Sequence, residues 1–155
     1  MQHHQLGMDI EQDGEQELCW LINDLTRIMT NEFNRRLRLQ GFELSRSQSR
    51  ILIRLSRQDG QSQTELAESL GMEKAPLGII IDKMESSGLI ERRPDPKDGR
   101  RRLVYATPKA IELLPDIDKL TVELAQQALE GLSKVRRMQL SQNLNHMKLN
   151  MLRDR

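Results

Sequence analysis

The sequence predicts a mainly α-helical fold interrupted once by a small β-hairpin. Three observations predict it. Apolar residues recur at helical spacing over most of the chain, from Leu18 to Met151. The period changes to strand-like alternation only around residues 89–107. Inside that stretch lies "RRPDPKDGRRR" (92–102), where turn-forming Pro, Asp and Gly are mixed with six Arg or Lys residues.

The elements follow in order. Residues 1–16 carry only acidic charges and little apolar material, which predicts a mobile tail. From Leu18, the series Leu21, Ile22, Leu25, Ile28, Met29, Phe33 and Leu37 makes one apolar stripe over about six helical turns, with Gly41 as its stop. Ser45 with Gln48 is a capping box for a second helix holding Ile51, Leu52 and Leu55. "QDGQ" (58–61) predicts a turn. Ser62 with Glu65 is another capping box, opening the short helix "QTELAESL", which Gly71 closes. The next helix, "KAPLGIIIDKMESS", tolerates Pro76 in its first turn. It directs Leu77, Ile80, Ile81 and Met84 inward and stops at Gly88. "LIERR" and "RRLVYAT" then predict two strands. Thr107 and Pro108 open a long helix as N-cap and first residue, and Pro115 within it predicts a bend. Ser133 caps a final helix with Leu140, Leu144, Met147 and Met151 on one side.

Two short helices separated by a tight Gly turn and followed by a β-hairpin describe a winged helix-turn-helix over residues 45–107. The helices at 17–44 and 108–153 are amphipathic, and the central unit is too small to cover both. Pairing with a second copy would bury them, so they are expected to dimerise the chain.

Composition narrows the function. The 155 residues suffice for one domain with a real core. Basic and acidic residues balance at 24 to 23, but unevenly. Residues 1–44 hold 4 basic and 8 acidic side chains, and residues 45–102 hold 12 and 9. A basic middle section suits a polyanion there. Aromatic residues are 3 % of the chain, too few for stacking on single-stranded bases. One cysteine, Cys19, excludes an intrachain disulfide. The N-terminus lacks an apolar signal segment and no run is long enough to span a membrane, so the protein is expected in the cytoplasm. No nucleophile triad, P-loop or nucleotide-binding glycine motif is present, which argues against an enzyme. His3, His4 and His146 are scattered without metal-ligand spacing, and no metal or other cofactor is expected.

A hairpin loaded with Arg beside a helix-turn-helix fits double-stranded DNA. The second helix of the pair enters the major groove and the hairpin tip reaches the backbone or minor groove. Arg suits both, because its planar fork grips phosphate and a narrow minor groove attracts it. Gly99 lets the tip turn. Asp98 is expected to hold a nearby Arg side chain through a charge-assisted hydrogen bond. Arg100 should insert, with Arg101 and Arg102 adding phosphate contacts. Ser45, Ser47, Ser62, Gln63 and Thr64 are candidate phosphate contacts at helix N-termini. Lys74, Ala75, Pro76, Gly78, Ile79 and Lys83 are expected toward the groove.

"LIERRPDPKDGRRRLVYATPKA" (89–110), with the helix-turn-helix before it, resembles the MarR family of bacterial transcription regulators. The similarity in layout covers about residues 17–152. Asp98 and Arg100 match the family's Asp-x-Arg wing pattern. The resemblance implies a wing Arg in the minor groove oriented by the Asp, and a homodimer built from the N-terminal and the two C-terminal helices. It also implies release from DNA by a small molecule or anion. Trp20, Phe33 and Phe42 are positional guesses for lining an effector pocket.

The sequence departs from the family in places. Many members carry Thr and Arg where this chain has Gly78 and Ile79, so the bidentate Arg-to-guanine contact is missing. Ile79 would touch a thymine methyl and Gly78 would allow close backbone approach; alternatively, base readout is weak and specificity comes from the wing and from DNA shape. "KVRRM" after Ser133 puts positive charge at a helix N-terminus, read as a solvated face. Cys19 lies in "ELCWL", similar to the organic-peroxide-sensing branch of the family. That branch's tyrosine is replaced here by Phe33, so Cys19 reads as a small buried hydrophobe, with redox gating as the alternative. A winged-helix protein–protein adaptor is the rival from another class.

Overall fold

The computed structural model describes residues 10–153. The element order is α1 (Ile10–Leu39), α2 (Arg46–Arg57), β1 (Gln61–Ser62), α3 (Gln63–Leu70), α4 (Lys74–Ser86), β2 (Ile90–Pro94), β3 (Arg102–Ala106), α5 (Pro108–Ala128) and α6 (Lys134–Leu152). This is a mainly helical winged helix-turn-helix, as the periodicity predicts. α1 begins at Ile10, inside the stretch expected as a tail and ahead of Leu18; residues 1–9 of that stretch, with His3 and His4, lie outside the described residues. No described helix is long and apolar enough to cross a membrane.

Both predicted capping boxes form. The Ser45 hydroxyl accepts the Gln48 N–H, and the Gln48 amide oxygen accepts the Ser45 N–H at 2.8 Å. Ser62 and Glu65 repeat the exchange, with the Ser62 N–H donating to the carboxylate at 2.8 Å. Each box satisfies backbone donors that the first helical turn leaves free. Gly71, at φ 62°, ends α3 in the left-handed conformation and swings the chain into α4. α5 remains helical through Pro115.

The sheet has three strands, not two. Their order is β1-β3-β2, all antiparallel. β2 and β3 form the wing hairpin, in register from Ile90 opposite Ala106 to Pro94 opposite Arg102. β1 pairs Gln61 with Val104 and Ser62 with Leu103, within and just beyond the segment expected as a turn. The turn itself occupies residues 58–60, with Gly60 at φ 70°, and the Tyr105 hydroxyl lies so close over Gly60 that a Cβ there would stand 2.9 Å from it.

The chain divides into two compact units, one ending at Leu120 and one beginning at Thr121. In the first, Leu37, Ile51, Leu52, Leu55, Leu66, Leu77, Ile81, Met84, Ile90 and Val104 are fully buried. α1 joins this core through Phe33 and Leu37; the Arg46 guanidinium lies 5.7 Å from the Phe33 ring centroid, and the Arg46 N–H donates to Asn34 at 2.8 Å. In the second unit, α6 buries no residue. Ser133 caps it by accepting the Arg136 N–H, and the following basic residues are exposed, as expected for a solvated face.

Candidate nucleic-acid interface

The interface is built on α4, the N-terminus of α3 and the wing. Along α4, Leu77, Ile81 and Met84 are buried, whereas Lys74, Ala75, Pro76, Ile79, Asp82 and Lys83 are exposed and Gly78 half-exposed. Ile80, expected inward, is only half-buried. Ile79 is 73 % exposed, an unusual place for a branched aliphatic side chain unless something meets it.

The wing tip is ordered by its own turn. Arg101 N–H donates to the Asp98 carbonyl at 2.9 Å, and Asp95 N–H to the Arg101 carbonyl at 3.0 Å. The Asp98 carboxylate accepts the backbone N–H of Arg100 at 3.0 Å. It therefore does not grip an Arg side chain as expected; it fixes the backbone from which Arg100 projects, an Asx turn. The Arg100 guanidinium is exposed and has no partner among the described residues, and neither does that of Arg102.

Lys97, whose backbone N–H donates to Asp95, also keeps an exposed ammonium without a partner among the described residues, whereas the other three wing arginines are occupied. Arg101, expected on phosphate, reaches Glu65 at 3.2 Å and Asp95 at 3.9 Å. Arg93 pairs with Glu91 and lies 4.6 Å from the Tyr105 ring centroid. Arg92 bridges Asp82 and Glu85, so one strand residue holds two carboxylates of α4. The turn at Gly88 brings these groups together. Arg92 was not foreseen in the sequence, where only its spacing of seven from Glu85 across a predicted turn hinted at it.

Between α3 and the wing lies a cleft of about 530 Å³, lined by Gln63, Thr64, Glu65, Arg92, Arg101 and Arg102 among others. The α3 N-terminus opens on it. Ser62 lines it too, but is 8 % exposed, and its hydroxyl both accepts the Glu65 N–H and donates to the Glu65 carboxylate at 2.7 Å. Ser45 is likewise committed to its cap. Ser47, Gln63 and Thr64 keep unpartnered side chains among the described residues. Glu65 is held below the ordinary carboxylate range by hydrogen bonds from the Ser62 hydroxyl and backbone, with Arg101 adding to them.

Lys83 opens elsewhere, on a cleft of about 730 Å³ that also includes Asn34, Arg38, Phe42 and Ser87. The three aromatics proposed for a pocket are not gathered. Phe33 is buried, Phe42 lines the Lys83 cleft, and Trp20 is 70 % exposed in a shallow depression on α1 with Cys19. Thirteen residues separate Trp20 from Phe33 on one helix, about 20 Å at 1.5 Å per residue. Cys19 is exposed, not buried as expected.

Residues 44–101, from just before α2 to the wing tip, match the MarR family. The chain is 24 % identical over 118 residues to the HTH-type transcriptional regulator YybA of Bacillus subtilis, covering 76 % of this chain and 79 % of that protein. The crystal structure of the transcriptional regulator SlyA superposes with a TM-score of 0.82 at 27 % identity, over 88 % of this chain and 95 % of that one. The transcriptional repressor CouR, bound to a 23-mer DNA duplex, shares the fold with a TM-score of 0.76 at 23 % identity, over 84 % and 92 %.

Proposed function

We propose that this chain is a DNA-binding transcription regulator of the MarR type, which its residues 44–101 match, and that it acts as a homodimeric repressor on a pseudo-palindromic duplex operator. The observation that carries this is the sorting of charge in the wing. Arg92, Arg93 and Arg101 are held by carboxylates of their own chain, while Lys97 and Arg100 project unpaired from an ordered tip and Arg102 from the strand that leaves it. Exposed unpaired cations on a fixed scaffold suit phosphate and a narrow minor groove. Residues 45–107 serve as the DNA-binding unit, and residues 17–44 and 108–153 as the pairing helices, whose half-sites then lie about one helical turn apart. CouR's duplex complex supports the same mode of use for this fold.

Release by a small effector fits the cleft at Phe42, where an aromatic ring, Arg38 and Lys83 suit a small aromatic anion. Such a ligand lowers DNA affinity if it binds better to a dimer whose reading heads are wrongly spaced. The exposure of Cys19 favours a second gating route, in which a peroxide oxidises the thiolate to sulfenic acid and is itself reduced to the alcohol. Peroxide-dependent loss of operator binding that Cys19→Ser abolishes would establish that route.

Fluorescence anisotropy with the duplex flanking this protein's own gene, across a salt series, tests the regulator reading. Wild type is expected to bind with steep salt dependence. Arg100→Ala should weaken binding about tenfold and lower the salt slope by about one. Absence of duplex affinity at low salt would replace a DNA operator with a protein partner at the Ile79 face.

A further inference from the structure

We propose that Gln63 is the base-reading amide of this DNA interface, laid across Gly78 onto the groove-facing side of α4, where it selects an adenine. The inference rests on the DNA-binding reading above and deepens it. Three observations support it. The exposed face of α4 has no amide or guanidinium side chain to read a base: it offers Lys74, Ala75, Pro76, Gly78, Ile79, Asp82 and Lys83. The missing group arrives from α3 instead, because the Gln63 amide nitrogen lies 2.8 Å from the place a Cβ on residue 78 would take. That amide has no hydrogen-bond partner among the described residues, so both its donor and its acceptor are free.

The root of the side chain is firm. Gln63 is the first residue of α3, inside the Ser62–Glu65 capping box. Ser62 pairs with Leu103 in the sheet, and Glu65 reaches Arg101 of the wing. A glutamine held in this way presents an N–H and a carbonyl side by side, the pattern that matches adenine N7 and N6 in the major groove. Glycine at 78 is what leaves room for it. Ile79, exposed on α4 next to Gly78, suits the methyl of a neighbouring thymine.

Binding-site selection from a randomised duplex library tests this with wild type, Gln63→Ala and Gly78→Ala. Wild type should enrich one adenine per half-site, preferred roughly tenfold or more over other bases. Gln63→Ala should flatten that position to near-equal preference while the preferences at the other positions of the site persist. Gly78→Ala should flatten the same position by displacing the amide. It should melt no lower than wild type, because Ala exceeds Gly in helix propensity by about 1 kcal/mol and the crowded atom is the end of a flexible side chain. A uniform loss of affinity in Gln63→Ala with base preferences intact would make Gln63 a phosphate contact and overturn the inference alone. Unchanged preferences in both variants would do the same. No duplex binding by wild type would overturn the DNA reading and this inference with it.

Discussion

The winged domain covers itself, whereas α6 and the part of α1 from Leu18 to Ile28 do not. In residues 45–107, Leu52, Leu55, Leu66, Leu77, Ile81 and Met84 are buried by their own chain, and most charges in the wing find partners there. On α1, Leu18, Leu21, Leu25 and Ile28 form a stripe that is about half exposed, with Leu25 at 52 %. α6 buries nothing and leaves Val135, Met138, Leu140, Leu144 and Met151 in the open. Monomeric proteins rarely leave apolar surface of that extent uncovered. The first region is complete in itself, whereas α1 and α6 carry apolar faces that the proposed dimer would cover. Substitutions should therefore damage folding in the one and assembly in the other.

The largest effect belongs to the core of the winged domain. Leu55→Ala removes a side chain that is 1 % exposed and should cost about 2–5 kcal/mol. Its melting temperature should fall by roughly 10 °C or more, with the mass of the folded species unchanged in light scattering. A change in mass before unfolding would blur the distinction between the two regions.

Leu25→Asp on α1 should do the opposite. A carboxylate there costs an isolated chain little, because the position is already half exposed, but it would be intolerable in a buried dimer seam. The species in light scattering should shift from two chains to one, and operator affinity should fall by about a hundredfold or more as one reading head is lost. The circular dichroism of the helices should persist. An unchanged mass with full DNA affinity would place the dimer seam elsewhere.

How much of this was legible in the sequence follows the range of the interactions. The capping boxes at Ser45 and Ser62 were readable because their partners sit three residues away. The wing was readable because its turn residues and cations are contiguous. β1 was not: two polar residues carry no alternation, and their pairing depends on Leu103 and Val104 some forty residues later. The Arg92 bridge needs the fold at Gly88 to bring α4 beside β2. Asp98 was misassigned for the opposite reason. Its partner is the N–H two residues on, so local turn chemistry wins over an ion pair with a side chain. Cys19 and the three aromatics failed because periodicity tells which side of a helix is apolar, not whether the chain itself covers it.

A smaller effect is expected at Arg92. Its guanidinium ties the wing to α4 and is itself mostly buried, while Asp82 and Glu85 are more exposed. Exposed pairs contribute little, so Arg92→Ala should cost no more than about 1 kcal/mol of stability. The wing would then move relative to α4, and duplex affinity should fall several-fold for every sequence alike. Loss confined to one base position would mean that Arg92 touches a base directly.

The smallest effect is a change in the shape of the acid limb of stability, and it separates the two regions once more. Hydrogen bonds from Arg35 and then Arg36 hold the α1 carboxyl Glu32 at about 2, against an ordinary value of 4.5. Both arginines belong to the same helix as Glu32, at distances of 2.8 and 2.7 Å. Glu65 in the winged domain is shifted in the same direction by Ser62 and by Arg101. A folded-state pKa below the unfolded one contributes stability at neutral pH. That contribution begins to disappear as pH falls past 4.5, where the unfolded chain takes up the proton first, and is gone below the folded value. Glu32→Gln should therefore flatten urea-melt stability between about pH 4.5 and pH 2. Glu65→Gln keeps an acceptor for the Ser62 N–H and so preserves the cap, but loses the charge facing Arg101. It should flatten the acid limb less and raise the mobility of Arg101 instead. If Glu65→Gln flattened it more than Glu32→Gln, the tie between α3 and the wing would contribute more to the winged domain than its exposed geometry implies.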